Sequence, residues 1–143
     1  MAALSPRLAA IVEALPLQPD SRVLEIGCGP GAAARAVAER LTTGHILAID
    51  RSAKAIAQAT EASRQQLASG RLRLRQVAAE DFVLQPTDEP FDIVFAVRVG
   101  ALDGRHPEVG GRALSRLAGA VAPGARLFID GGQPLQEVPL PRL

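Results

Sequence analysis

One acidic residue inside an apolar strand, followed at once by a cluster of glycines, constrains this chain more than any other feature. Val23-Leu24-Glu25-Ile26 reads as a short strand running into the turn Gly27-Cys28-Gly29-Pro30-Gly31. Glycines in such a turn permit positive φ and leave no Cβ in the way of a ligand. Ala32 to Leu41 reads as the helix that follows, with Ala34, Val37 and Leu41 at core spacing. A strand, a glycine-rich turn and a helix start together offer unpaired backbone N–H groups to a polar ligand.

The rest of the chain repeats the alternation of strand and helix. Ser5-Pro6 signals a helix start, with Leu8, Ile11, Val12 and Leu15 on one face before Pro16. Ile46-Leu47-Ala48-Ile49 is a continuous apolar run, as in a strand buried on both faces. Ser52 caps a helix whose inward stripe is predicted as Ala53, Ile56, Thr60 and Leu67, stopped by Gly70. Arg71 to Val77 alternates at period two, which predicts a strand with one polar side near a sheet edge. Residues 84–90, with Pro86 and Pro90, read as loop, and Phe91 to Val97 as the next strand. Ala113, Leu114, Leu117 and Val121 mark a helix, and Pro123-Gly124 turns into a fifth strand, Arg126 to Ile129. The tail from residue 131, with Pro134, Pro139 and Pro141, reads as too proline-rich for regular structure. The pattern predicts an α/β fold with a mostly parallel sheet and helices on both faces. The division expected is a domain over 1–130 and a Pro-rich tail over 131–143.

In open α/β sheets the ligand lies outside the carboxyl ends of the strands. Asp50 ends the second strand, where a carboxylate can accept from both hydroxyls of a ribose; the plainer reading is a helix-start carboxylate beside Ser52. Dinucleotides and S-adenosylmethionine both use this layout, and Gly27, Gly29 and Ala32 fit the dinucleotide pattern G-x-G-x-x-A. Glu25 discriminates. An ionised carboxylate on a central strand is expensive without a partner, and an ammonium-bearing ligand supplies one where an anionic phosphate does not. Backbone N–H groups of the turn are the alternative partner.

Val23 to Gly31 resembles the first motif of the class I S-adenosylmethionine-dependent methyltransferases, nearly residue for residue. Ile46 to Asp50 resembles their second motif, Ala78 to Phe82 their adenine-binding loop, and Phe91 to Val97 their fourth strand. Val121 to Leu127 resembles the turn before their fifth strand. The resemblance covers roughly residues 20–130 and implies a Rossmann-like three-layer sandwich with strand order 3-2-1-4-5. It further implies that the backbone of Gly27, Cys28, Gly29 and Gly31 holds the methionyl part of the cofactor and that Glu25 orders its amino end. Asp50 would take the ribose hydroxyls, Arg51 would lie along the adenine, and the Ala79 N–H would meet the ring. Ala96 and Val97 would face the sulfonium.

The sequence departs from the family at three places. Ala78 stands where many members carry an acid, so Glu80 or Asp81 would have to serve the adenine amino group. Arg98 stands where many carry a small polar residue, and is expected either to pair outward with Asp103 or Glu108 or to hold an acidic substrate group. The chain also ends soon after strand five, so the C-terminal antiparallel strands are expected to be missing. Strand five would then be a bare apolar edge (Leu127, Phe128, Ile129), which proteins normally cover. The tail carries Leu135, Val138, Leu140 and Leu143, so the cover is expected to be the tail itself or a second copy in a homo-oligomer.

Composition narrows the partners. A net charge of +1 and no run of Lys/Arg give no footprint for nucleic acid. No apolar run reaches the roughly 18 residues that span a bilayer, and no signal peptide is evident. One cysteine, Cys28, excludes an intrachain disulfide and fits the cytoplasm. No His/Cys/carboxylate cluster has metal-ligand spacing. His106 is the weak candidate for a general base, against an idle loop histidine, and Cys28 reads as a small turn residue rather than a nucleophile. Few catalytic side chains are needed, because methyl transfer to a nucleophilic acceptor depends mainly on alignment. The function expected is methyl transfer from S-adenosylmethionine to a small molecule. A non-catalytic cofactor-binding partner subunit and a nicotinamide enzyme are the competing readings.

Overall fold

The structure, a computed structural model, describes residues 4–100, 102 and 104–141. Its elements are α1 (Pro6–Ala14), β1 (Arg22–Ile26), α2 (Ala32–Ala38), β2 (His45–Asp50), α3 (Ala53–Ala62), α4 (Arg64–Ala68), β3 (Leu72–Gln76), β4 (Phe91–Ala96), α5 (Pro107–Ala118), β5 (Val121–Asp130) and β6 (Leu135–Val138). The strands form one sheet in the order β3-β2-β1-β4-β5-β6, with β1 to β5 parallel and β6 antiparallel to β5.

Period-two geometry splits the apolar residues between the two faces. Val23, Ile46, Ala48, Ile93 and Phe95 pack under α1 and α2. Leu24, Leu47, Ile49, Val94 and Leu127 pack against Ala113 and Leu117 of α5 and against Phe82 and Phe91. Both faces of the central strands are therefore dry, which is why their sequences show no polar alternation. At β3, the predicted edge, Leu72 is buried while Arg73 and Arg75 face Asp88.

Several sequence expectations are corrected. The helix expected after Ser52 is broken: Ser63, at φ −112° and ψ 22°, separates α3 from α4 and is fully buried, accepting from Arg35. Within α3 it is Ala59 that is buried, whereas Thr60 is exposed and returns its hydroxyl to the Ile56 carbonyl. Val121 opens β5 rather than closing α5, and the Pro123-Gly124 turn is an irregularity inside β5 where the register with β4 shifts. The tail does form regular structure. Pro134 and Pro139 flank β6 but leave its four ladder residues unobstructed, and an edge strand tolerates proline at its ends.

One antiparallel strand beyond β5 is thus present, and β5 is paired on both sides, with Leu127 opposite Val138 and Ile129 opposite Gln136. The bare β5 edge that motivated a homo-oligomer does not exist. The actual edge, β6, is short, proline-flanked and carries Glu137 paired with Arg126, the features that blunt an edge. Leu143 lies outside the described residues.

Candidate active site

All five parallel strands deliver their carboxyl ends to one side of the sheet, and the segments that follow them build two adjoining clefts. The first, of about 610 Å3, is bordered by Gly27, Asp50, Ala79, Glu80, Arg98 and His106. The second, of about 310 Å3, is bordered by Ser5, Arg7, Glu25, Gly29, Val97 and Arg98. Gly27 and Arg98 line both, so the clefts meet there.

The turn after β1 is fastened from three directions. Cys28 N–H donates to the Ile49 carbonyl at 3.0 Å, and Gly31 N–H to the Cys28 carbonyl at 3.0 Å. Gly29 N–H donates to Asp50 Oδ2 at 2.9 Å. Arg35, itself buried, donates to the Pro30 carbonyl at 2.8 Å and to Ser63 Oγ at 3.1 Å, tying the turn to the break between α3 and α4. Gly27 has φ +68°, and a Cβ there would lie 2.7 Å from Val99 Cγ2, so both backbone and space require glycine.

Glu25 sits on β1 between Ala48 and Phe95 and is only 4% exposed. Its Oε1 is buried with no hydrogen-bond partner among the described residues, and no ion pair joins it to Arg35 there. The N–H groups of Cys28, Gly29 and Gly31 in the turn, the alternative partners, go elsewhere. Burial, reinforced by Asp50 and opposed by Arg35, pushes its carboxyl up to about 8. An orphaned carboxyl bordering a cleft is a receptor for a donor from outside the fold.

Asp50 combines its two sequence readings. Oδ1 accepts from Ser52 N–H at 2.9 Å, the helix-start role, while Oδ2 holds the glycine turn, and the residue still borders the first cleft. Arg51, Ala79 and Glu80 line that cleft as well, and Asp81 does not, so Glu80 is the acid brought to it. Ala96 is buried at the end of β4. Burial, with Glu25 and Asp50 nearby, pushes the Cys28 thiol up to about 12, which keeps it protonated and unfit as a nucleophile. His106 precedes α5 and borders the first cleft against Gly100. Asp103 lies outside the described residues, and no ion pair joins Arg98 to Glu108.

Sequence reasoning missed Asp130, which ends β5. Its Oδ1 accepts from Arg98 N–H at 2.8 Å and its Oδ2 from the Arg7 guanidinium at 2.5 Å. The signal was available in principle: Asp130 closes a parallel strand as Asp50 does, so both acids had to fall at the same end of the sheet. Among the described residues, no group of three or more His, Cys, Asp or Glu is placed to hold a metal ion.

The strand order, the glycine turn after β1 and an acid at the end of β2 define the class I, S-adenosylmethionine-dependent methyltransferase fold. The chain belongs to the family described as "Methyltransferase domain", whose model matches residues 23–124. It is 40% identical over 89% of its length to a protein-L-isoaspartate O-methyltransferase of Methylorubrum populi. It is 29% identical over 81% of its length to a trans-aconitate 2-methyltransferase of Variovorax paradoxus. The chain spans about half the length of these curated relatives, 52% and 40% respectively. A crystal structure of an S-adenosylmethionine-dependent methyltransferase from Thiobacillus denitrificans, in complex with S-adenosyl-L-homocysteine, superposes with a TM-score of 0.67. It is 23% identical, and the match covers 88% of this chain and 48% of that one. The cofactor of this family is S-adenosylmethionine, which disposes of the nicotinamide reading, and nothing in the comparisons favours a non-catalytic subunit.

Proposed function

We propose that this domain transfers the methyl group of S-adenosylmethionine to a small-molecule acceptor at the junction of the two clefts. One observation carries the reading: the buried, unpartnered Glu25 Oε1 beside the glycine turn, a position that an ammonium-bearing ligand satisfies. When bound, the cofactor supplies an electrophilic methyl group on a sulfonium. The residues present fit it. The Gly27–Gly31 backbone and Glu25 would hold the methionyl end in the second cleft. Asp50 would take the ribose hydroxyls, its carboxylate having lone pairs left after Gly29 and Ser52. Arg51, the Ala79 N–H and Glu80 would receive the adenine in the first cleft.

The rest of the work is alignment and exclusion of water, for which well-oriented reactants gain about 7–11 kcal/mol. His106 and Arg98 border the acceptor's approach, His106 as the group able to take a proton and Arg98 as a fixed positive charge. The buried single thiol fits a reducing compartment such as the cytoplasm. No helix of the described residues is long and apolar enough to cross a membrane. Self-association, argued from a bare strand five, has lost that support. Calorimetry with S-adenosylhomocysteine and with NADH tests the cofactor reading. Saturable binding of the first, abolished in Glu25→Ala, is the expected result; binding of NADH alone would overturn it.

A further inference from the structure

We infer that the acceptor carries a carboxylate and that the Arg98 guanidinium holds it at the junction of the two clefts, an inference that rests on the cofactor reading above. Arg98 borders both clefts beside Gly27. It is the residue other than glycine with a left-handed backbone among those described, at φ +57°, a conformation long side chains rarely adopt. The strain is held in place by Asp130, which accepts the Arg98 N–H with one oxygen and the Arg7 guanidinium with the other. Asp130 is thus committed to the Arg98 backbone and to Arg7, and no described acidic side chain pairs with the Arg98 guanidinium.

A guanidinium carried on a held backbone to the place where a sulfonium is delivered repels it, unless an anion lies between the two charges. A carboxylate acceptor meets both requirements: its two oxygens match the planar fork of arginine, and its charge faces the electrophile. The chemistry balances without further groups. A lone pair of the carboxylate oxygen forms the new O–CH3 bond as the C–S bond breaks, and that bonding pair remains on sulfur. The acceptor becomes a neutral methyl ester, the donor a neutral thioether, and no proton changes hands.

The same carboxylate chemistry is present in the methionyl end of the cofactor, so the experiment separates the two sources. Wild type, Arg98→Asn (which tolerates a left-handed backbone) and Arg98→Lys are each titrated with S-adenosylhomocysteine by calorimetry. Propane-1,2,3-tricarboxylate is then titrated into the saturated complex. Methyl transfer from tritiated S-adenosylmethionine to the same tricarboxylate is measured as methanol released by alkali, the signature of an ester. The expected result is tricarboxylate binding weakened tenfold or more in Arg98→Asn and partly restored in Arg98→Lys. S-adenosylhomocysteine affinity stays the same in all three proteins. A wild-type complex that takes no tricarboxylate, or an Arg98→Asn affinity within twofold of wild type, overturns the inference while the cofactor reading stands. Arg98→Asn weakening S-adenosylhomocysteine itself tenfold assigns Arg98 to the donor's carboxylate and overturns it too. Failure of wild type to bind S-adenosylhomocysteine defeats the cofactor reading, and this inference with it.

Discussion

Replacing Glu25 by glutamine is expected to stabilise the folded domain near neutral pH and to weaken cofactor binding in the same step. The carboxyl titrates near 4.5 in an unfolded chain and is pushed up to about 8 in the fold, burial being the main cause. Between those values the folded chain holds a proton that the unfolded chain has lost. The stability from protonated Glu25 is therefore complete below pH 4.5 and falls as pH rises toward 8. At pH 7 the gap of 2.5 pH units above 4.5 corresponds to about 3 kcal/mol at about 1.36 kcal/mol per unit. A glutamine side chain has nearly the same volume and does not titrate, so the variant escapes that loss. The stability advantage of Glu25→Gln should grow from just under about 1 kcal/mol at pH 5 toward about 3 kcal/mol at pH 7. In a domain of this size that is close to ten degrees of melting temperature, at about 3 °C per kcal/mol. Paired urea and thermal unfolding of both proteins at pH 5, 6, 7 and 8 measures it, and the groups common to both cancel in the difference. S-adenosylhomocysteine affinity of the variant should fall at least tenfold, since a charge-assisted bond contributes about 1.5–3 kcal/mol. A stability difference that does not change with pH would refute the assignment of Glu25 as an unpartnered buried carboxyl.

Three further outcomes are expected. Asp50→Ala should weaken S-adenosylhomocysteine binding at least tenfold and also lower stability by about 1–2 kcal/mol, since Gly29 and Ser52 lose their acceptor; calorimetric affinities within twofold would remove Asp50 from the site. Gly27→Ala forces an alanine to φ +68° with Val99 Cγ2 2.7 Å from its Cβ, so a loss of about 1–2 kcal/mol from the backbone alone and impaired binding are expected, checked by denaturation and titration. The Asp88 carboxylate has 0% side-chain exposure; burial raises its pKa, but bonds from Arg75, the Gln85 N–H and Arg73 outweigh that and hold it below the usual range. The stability it contributes is present at neutral pH and lost as pH falls through the acid range, and Asp88→Ala should remove about 2–3 kcal/mol at pH 7 with cofactor affinity unchanged.

The class of fold and the residues on one side of the candidate site were legible before any packing was known. The apolar run at 46–49 reads as a strand wet on neither face and 23–26 as a strand entering a glycine turn, and the alternation of strand and helix then points to a parallel sheet. The glycine turn, Glu25 and Asp50 were legible because each works through local chemistry: positive φ, a misplaced charge, a carboxylate at a strand end. Tertiary structure decided what depends on partners distant in the chain. Period-two alternation predicts the polar side of β3, but only the fold shows Arg73 and Arg75 meeting Asp88 from the 84–90 loop. At the break between α3 and α4, buried Ser63 accepts from buried Arg35, a pairing that no helical periodicity records. β6 is not legible in the sequence because proline breaks most regular structure, whereas an edge strand needs N–H groups on one side only. Arg7, Arg98 and Asp130 come from three separate segments and meet only because the carboxyl ends of β4 and β5 and the start of α1 converge. Local pattern fixes what each segment is; which side chains neutralise one another is settled only when the segments are packed.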